Sequence, residues 1–385
     1  MKAFSLRLSV FYAAYFAVVG VYLPFFPVWL SVRELTPVQI AIVLAAPQVM
    51  RVLFTPLMAI YAGRLGGLKT GIATFAVIGA VPIALLPVFD SYWPILIIVA
   101  VSALFWNPVL PLAEALAIAG VKRGSSSYGR MRLWGSWSFI AITLATGLIV
   151  DRLGDAKTIW LIVIAYAVAA MSALALREPD TETPVDSGRS LSVRQASRLF
   201  RFWPLMAALV AAASIQASHA VIYAFGTIHW ASQGIDFRFT GALWSIGVIA
   251  EIVLFAFSAA AARAFGGFGL IAIAGAAGIL RWFFMSFDPP LEALFLLQIL
   301  HGLTFGATHL GSVEVIAKTV PENLVATAQA LSFTIGGLAM GLATFATGPL
   351  YENFEGQAYL AMGALSAFGF AFAIGAQLLS RRFRS

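Results

Sequence analysis

Between Gln298 and Glu314 the chain reads Gln-Ile-Leu-His-Gly-Leu-Thr-Phe-Gly-Ala-Thr-His-Leu-Gly-Ser-Val-Glu, a run of hydrogen-bonding and titratable groups inside an apolar segment of about 291–317. At about 100° per residue, His301, Thr304, Thr308, His309 and Ser312 fall on or near one helix face, and Leu297, Leu300, Leu303 and Leu310 lie largely elsewhere. A segment of ~20 apolar residues is long enough to cross a bilayer. An ionisable group at the bilayer centre costs at least ~2.5–3.5 kcal/mol, so several on one helix imply a protein-lined or watered interior. Such a stripe can bind a polar solute or move a proton.

Other ionisable residues fall within apolar segments. Arg281 sits mid-segment, with His301 on the following segment and Glu251 on the preceding one. Glu114 ends the fourth apolar segment and Arg132 opens the fifth, an arrangement in which a hairpin brings them together. A guanidinium in such a place grips a carboxylate through a bidentate, charge-assisted pair. A carboxylic acid whose surroundings alternate between dry and arginine-paired sheds and regains a proton. Arg132 and Arg281 are therefore candidates for holding an acid. Glu251 is the first candidate for proton coupling, with Glu114 second and His301 as a partner. Arg51 is read as a structural partner inside its own half, and Glu314 as a group near the segment end.

His219 and Gln298 join the candidate binding set, although a lone membrane histidine such as His219 or His309 commonly serves as a helix–helix contact. His229 falls near a segment boundary and is read as interfacial. Asn107, Gln216, Thr304 and Thr308 are further hydrogen-bonding candidates, too few for the dense set a sugar or nucleoside needs. Tyr22, Phe25, Phe26 and Trp29, with Tyr223 and Phe225, are candidate walls of an apolar pocket; packing against lipid or neighbouring helices is the alternative. The four histidines are scattered without ligand spacing, so no metal or cofactor is expected. Neither a Gly-x-Ser-x-Gly elbow nor an Asp-rich metal motif is present, so an enzyme is not expected.

The elements that must position these groups follow from composition. Of 385 residues 61% are hydrophobic and 11% charged, and mean hydropathy is +0.91. Soluble domains run near ~25% charged, so this is an all-α, polytopic membrane protein. The absence of cysteine excludes disulfides and thiolate metal sites. No cleavable signal peptide is read at the start. Apolar spans are expected at about 8–30, 37–60, 71–89, 93–119, 131–150 and 157–176, and again at 202–230, 238–261, 268–287, 291–317, 324–350 and 357–379. Each is read as a transmembrane helix, because an unpaired backbone group has no partner in lipid. Residues 177–201, rich in Arg, Pro, Ser and acidic groups, read as a hydrophilic linker between halves 1–176 and 202–385.

The net charge of +7 arises from topology, not from nucleic-acid binding. With the amino terminus inside, seventeen of the 24 Lys and Arg fall in inner loops and tails, including Arg189, Arg194, Arg198, Arg201 and Arg384. Arg33, Arg152, Lys157 and Arg238 fall outside, which puts both termini in the cytoplasm. The halves also repeat. An offset of 200 brings Gly66-Gly67 onto Gly266-Gly267, Phe105 onto Phe305 and Glu114 onto Glu314; an offset of 201 brings Tyr22 onto Tyr223 and Trp29 onto Trp230. Twelve helices in two pseudo-symmetric six-helix bundles are expected, with a site between them near mid-membrane. Gly336, Gly337 and Gly341 are expected to allow close helix approach in the eleventh span.

Gly20-Val-Tyr-Leu-Pro-Phe-Phe-Pro-Val-Trp-Leu30 resembles the first helix of lactose permease and its oligosaccharide–proton symporter relatives. Tyr128-Gly-Arg-Met-Arg-Leu-Trp-Gly-Ser136, Leu243-Trp-Ser-Ile-Gly-Val-Ile-Ala-Glu251, Arg281-Trp282 and Gln298-Ile-Leu-His-Gly-Leu-Thr304 resemble the 3-phenylpropionate permease branch of the major facilitator superfamily. The resemblance covers nearly the whole chain. It implies the major facilitator fold and proton-coupled uptake of a phenylpropionate-like aromatic acid by a monomer, through alternating access across a bacterial inner membrane. A sugar or nucleoside symporter, or an exporter of the same fold working as a proton antiporter, are the alternatives. There are departures. Gly63 stands where the superfamily's loop between spans two and three carries an Asp, which removes the carboxylate an inner gate would use. Thr304 stands one turn after His301, where lactose permease has an acid.

Overall fold

In the computed structural model, which describes residues 2–125, 127–178, 199–200 and 202–382, the chain is helical and contains no strand among the described residues. Eleven segments there are long and apolar enough to cross a membrane: Lys2–Val32, Pro37–Ala62, Leu68–Val88, Tyr92–Val121, Tyr128–Leu153, Asp155–Leu174, Trp203–Ser232, Phe237–Ala256, Ser258–Met285, Leu291–Thr319 and Glu322–Leu378. The last contains two helices, Val325–Phe354 and Ala358–Arg382, separated by a 3₁₀ turn at Glu355–Gln357 in which Glu355 takes φ 46°. It therefore supplies the eleventh and twelfth spans. Side chains such as Leu342 and Phe333 are 71% exposed, an apolar surface suited to lipid in place of water. The expected linker 177–201 falls mostly outside the described residues, as do Arg189, Arg194, Arg198, Arg201 and Arg384.

Local chemistry sets the ends. Thr36 caps the second span through a reciprocal box: its Oγ1 accepts the Gln39 N–H at 3.3 Å, and Gln39 Oε1 accepts the Thr36 N–H at 3.0 Å. Gly66 and Gly266, matched by the 200-residue offset, both take positive φ, 93° and 64°, a region open mainly to glycine. At Gly266 the backbone leaves helical geometry within Ser258–Met285. The eighth span stops at Ala256, five residues before the expected 261, and Phe257 begins a new turn.

Several spans are interrupted. The fourth consists of Tyr92–Trp106 and Val109–Val121, and Pro108 supplies the cause by lacking an N–H. Asn107 donates from Nδ2 to the Pro47 carbonyl at 2.8 Å, so its amide serves packing between the second and fourth spans. The seventh span carries a π-helical segment at Ile222–Gly226, and the tenth carries one at Gly302–Ala307.

The chain divides into two compact units, Met1–Arg189 with Trp230–Ser245, and Ser190–His229 with Ile246–Ser385. In the first, the Asp151 carboxylate accepts the Phe237 and Arg238 N–H groups at 2.7 and 3.0 Å, capping the eighth span. A Cβ on Gly241 would stand 2.6 Å from the Thr143 carbonyl oxygen, which explains why this half of the span packs there. At the other end of this unit, the Glu178 carboxylate accepts the Lys69 N–H at 3.3 Å at the start of the helix Leu68–Ile83. An acid is therefore present at the turn between spans two and three, although Gly63 is not one.

In the second unit the apolar core gathers Leu209, Ile215, Leu270, Ile271, Val315 and Ile316. Glycine sets helix spacing there. A Cβ on Gly302 would stand 2.8 Å from the Ala250 backbone, and one on Gly311 would stand 2.7 Å from the Gly267 carbonyl. Gly336, expected to mediate such an approach, has nothing within 4 Å of its added Cβ. Gly337 and Gly341, named with it, are buried.

Candidate functional site

In the second unit, five side chains from three spans meet at a buried centre. Arg281, on the ninth span, is 1% exposed. Its Nη2 donates to Gln298 Oε1 at 2.6 Å, and its Nη1 donates to Thr304 Oγ1 at 3.0 Å and to His301 Nδ1 at 3.3 Å. Gln298, His301 and Thr304 all belong to the tenth span, where the π segment begins just after His301. From the seventh span, His219 sits fully buried with Nε2 2.9 Å from Thr304 Oγ1. Thr304, seen in the sequence mainly as a missing acid, is the hub.

The guanidinium donates to neutral acceptors. Arg281 is not a partner in the ion pairs Arg33–Asp90, His229–Asp288, Arg238–Asp236 and Lys318–Glu314. Arg281 Nε and Gln298 Nε2 are buried without a hydrogen-bond partner. A buried charge without a counter-charge is costly, and two unspent donors beside it are what an anionic group would satisfy. Aromatic surfaces border the centre. The Arg281 guanidinium lies 4.5 Å from the centroid of Trp282, which stacks on Tyr359 at 5.8 Å. His301 stacks on Phe305 at 5.4 Å, and Tyr223 lies 5.6 Å from His219. Glu251 is half-buried on the eighth span, and its Cγ would lie 3.5 Å from a Cβ on Gly306.

The expected polar face of the tenth span is only partly realised. Thr308 and Ser312 are buried but return their hydroxyls to the carbonyls four residues back, at 2.7 and 2.8 Å. His309 is exposed, 6.1 Å from the Phe255 ring. Glu314 pairs with Lys318 at 2.5 Å. Gln216 donates to the Phe305 carbonyl at 3.3 Å, within the π segment.

His229 differs from its expected interfacial setting. It is 5% exposed, its Nε2 lies 2.8 Å from Asp288 Oδ1 and its Nδ1 lies 3.1 Å from the Tyr351 hydroxyl. Loops joining later spans fold over it: a Cβ on Gly356 would collide with Asp288 Oδ1 and stand 2.8 Å from His229 Nε2.

In the first unit a second, looser group forms. The Tyr128 hydroxyl lies 3.4 Å from Glu114 Oε1. Arg132 makes no ion pair with Glu114; its guanidinium instead covers the Phe16 ring at 3.8 Å and lies 5.8 Å from that of Tyr12. Gly135 leaves room for this stack, since a Cβ there would stand 2.6 Å from Phe16. Tyr22 is half-buried and stacks on Phe26 at 4.5 Å. Phe25 has no exposed surface and lies 6.4 Å from Phe237, so a solute reaches it only if that packing opens. Among the described residues no cluster of His, Cys, Asp and Glu has the geometry to hold a metal ion.

Residues 5–361 match the model of the MFS_1 like family. The chain is 30% identical over 346 residues to a probable 3-phenylpropionic acid transporter of Escherichia coli (strain K12), covering 90% of each. It is 27% identical over 371 residues to a maltose permease of Geobacillus stearothermophilus, covering 91% of this chain and 89% of the permease. Among solved structures it resembles a point mutant of the nucleoside transporter NupG, with TM-score 0.84, 18% identity and coverage of 96% of this chain and 98% of that one. It also resembles a bacterial homologue of the lysosomal transporter Spinster, with TM-score 0.77, 13% identity and coverage of 97% and 96%.

Proposed function

Because the chain belongs to the MFS_1 like family and is a multi-pass membrane transporter, we propose that it takes up a small aromatic carboxylate together with a proton. The observation that carries this reading is Arg281: buried, bonded to neutral acceptors, with Nε unspent. A substrate carboxylate would supply the missing charge through a charge-assisted hydrogen bond. The Trp282, Tyr223 and Phe305 rings supply an apolar border for its aromatic part. Sugar hydroxyls would instead compete for Gln216 and Thr304, which are already bonded inside the protein. The acid after which the E. coli relative is named agrees with this choice.

Coupling follows from the same centre. Glu251 is the proposed proton carrier, with Glu114 second. His301 is a partner whose Nδ1 accepts a proton only when the Arg281 Nη1 hydrogen moves away, as it would toward a substrate carboxylate. Arg132, over Phe16, offers a second guanidinium free of ion pairing in the other unit. The division into halves 1–176 and 202–385 joined by 177–201 remains the proposed domain plan, with both termini cytoplasmic in a bacterial inner membrane and the protein acting as a monomer.

The test is uptake of labelled 3-phenylpropionate into proteoliposomes with and without an imposed proton gradient. Arg281→Lys keeps the charge but removes the planar fork, and uptake at low substrate should fall about tenfold or more. Glu251→Gln should abolish gradient-driven accumulation while preserving substrate exchange. Displacement of bound ligand by neutral sugars and not by phenylpropionate, or undiminished uptake by Arg281→Lys, overturns the carboxylate reading. Normal uphill uptake by Glu251→Gln overturns the proton assignment.

A further inference from the structure

His219 makes three polar contacts, and together they determine where its protons are. Nδ1 faces the carbonyl oxygens of Ile215 and Gln216 at 3.2 and 3.1 Å, groups that can only accept, so Nδ1 carries a hydrogen. In a neutral imidazole Nε2 is then a bare acceptor. Its partner, Thr304 Oγ1 at 2.9 Å, has a single hydrogen and must donate it. The hydroxyl's lone pairs are left for the Arg281 Nη1 hydrogen at 3.0 Å. Donation therefore runs one way, from Arg281 to Thr304, from Thr304 to His219, and from His219 to the backbone.

A charged His219 would break that order. Its Nε2–H would turn the Thr304 hydrogen toward the His301 carbonyl, 3.4 Å away. It would also place a second cation across one hydroxyl from Arg281, in a site where charges are poorly screened. Among the described residues, the side chains seen against the imidazole bring no negative charge to offset it. They are Arg281 and Trp282 from the ninth span, His301, Thr304 and Phe305 from the tenth, and Tyr223 from its own. Trp282 in turn donates from Nε1 to Ser218 Oγ at 2.8 Å, which fixes the ring standing perpendicular to His219.

We propose that His219 is a positioning residue that never touches the transported acid: held neutral with its hydrogen on Nδ1, it orients the Thr304 hydroxyl, which aims the Arg281 guanidinium. Gln298 pins the other end of the fork, so Nε is the nitrogen left for a ligand. This assignment rests on the carboxylate reading of Arg281 only for its consequence in transport; the proton placement stands apart from it.

Two pairs of variants and one spectrum test it. Gln at position 219 puts an acceptor where Nε2 was, while Asn replaces only the Nδ1 donor. His219→Asn and Thr304→Val should each weaken 3-phenylpropionate binding and raise its transport KM about tenfold, with little change in maximal rate. His219→Gln and Thr304→Ser should recover most of that loss. The double variant His219→Asn with Thr304→Val should be no worse than either alone, because both remove one contact. Equal losses in the Gln and Asn variants, or additive losses in the double, overturn the proposal. Nitrogen-15 spectra of histidine-labelled protein at pH 7 should show His219 as the neutral Nδ1–H tautomer. An imidazolium or an Nε2–H tautomer overturns it even if a variant fails to fold. Wild-type protein that does not bind 3-phenylpropionate, or an Arg281→Gln variant that binds it equally, refutes the carboxylate reading and leaves the spectrum to decide on His219.

Discussion

At the level of single residues, the polar groups sort by what they already hold. Thr308 and Ser312 are closed on their own helix, and Gln216 is closed on a neighbouring carbonyl. Arg281 and Gln298 keep donors in reserve. His229 is a third kind, a buried side chain that ties together the end of the seventh span, the turn before the tenth and the end of the eleventh. Replacing it by Leu removes a partner from Asp288 and from Tyr351 at once and should cost about 1–3 kcal/mol. Asp288→Ala should cost less, since its side chain is 54% exposed and water can take its place beside the imidazole. Thermal unfolding in detergent should therefore rank His229→Leu below Asp288→Ala, with wild type highest; the reverse order would mean that the tie is not what holds these ends.

Helix existence was readable because ~20-residue apolar runs have few alternatives in lipid, and the second span's observed start coincides with Pro37. Helix phase was readable only toward the middle of the predicted face. A single 100° wheel across Leu291–Thr319 sets Thr308 and Ser312 close to His301, and both are buried, while His309, about 140° from Thr304 at the edge of that face, is exposed. Arg281, His301, Gln298 and Glu251 were visible as charge or polarity out of place. Their order around Thr304 was not, because it depends on contacts between spans. The same limit applies to glycine. Gly302→Ala drives a methyl to 2.8 Å from the Ala250 backbone, which cannot yield as a side-chain tip can, whereas Gly336→Ala enters open space. The first should lower stability by about 1–3 kcal/mol and the second by no more than ~0.5 kcal/mol, measured as shifts in unfolding midpoint.

For the whole molecule, the repeat seen in the sequence reappears as matched local geometry. Gly66 and Gly266 both turn through positive φ, and the interruption at Asn107-Pro108 in the fourth span corresponds, at the same offset, to the end of the π segment in the tenth. The proposed orientation can be checked directly, because the chain has no cysteine to confuse a thiol label. A membrane-impermeant maleimide should label Glu34→Cys in intact cells and label Lys122→Cys only after the membrane is opened; the opposite pattern would invert the topology. The partnering of Arg281 also bears on how the chain is made. Its acceptors Gln298 and Thr304 lie 17 and 23 residues later, in the next span. When the ninth span first leaves the ribosome its guanidinium has neither of them, and entering lipid alone would cost ~2.5–3.5 kcal/mol. The ninth and tenth spans are thus built to enter the bilayer as a pair, with translation of the second completing the solvation of the first.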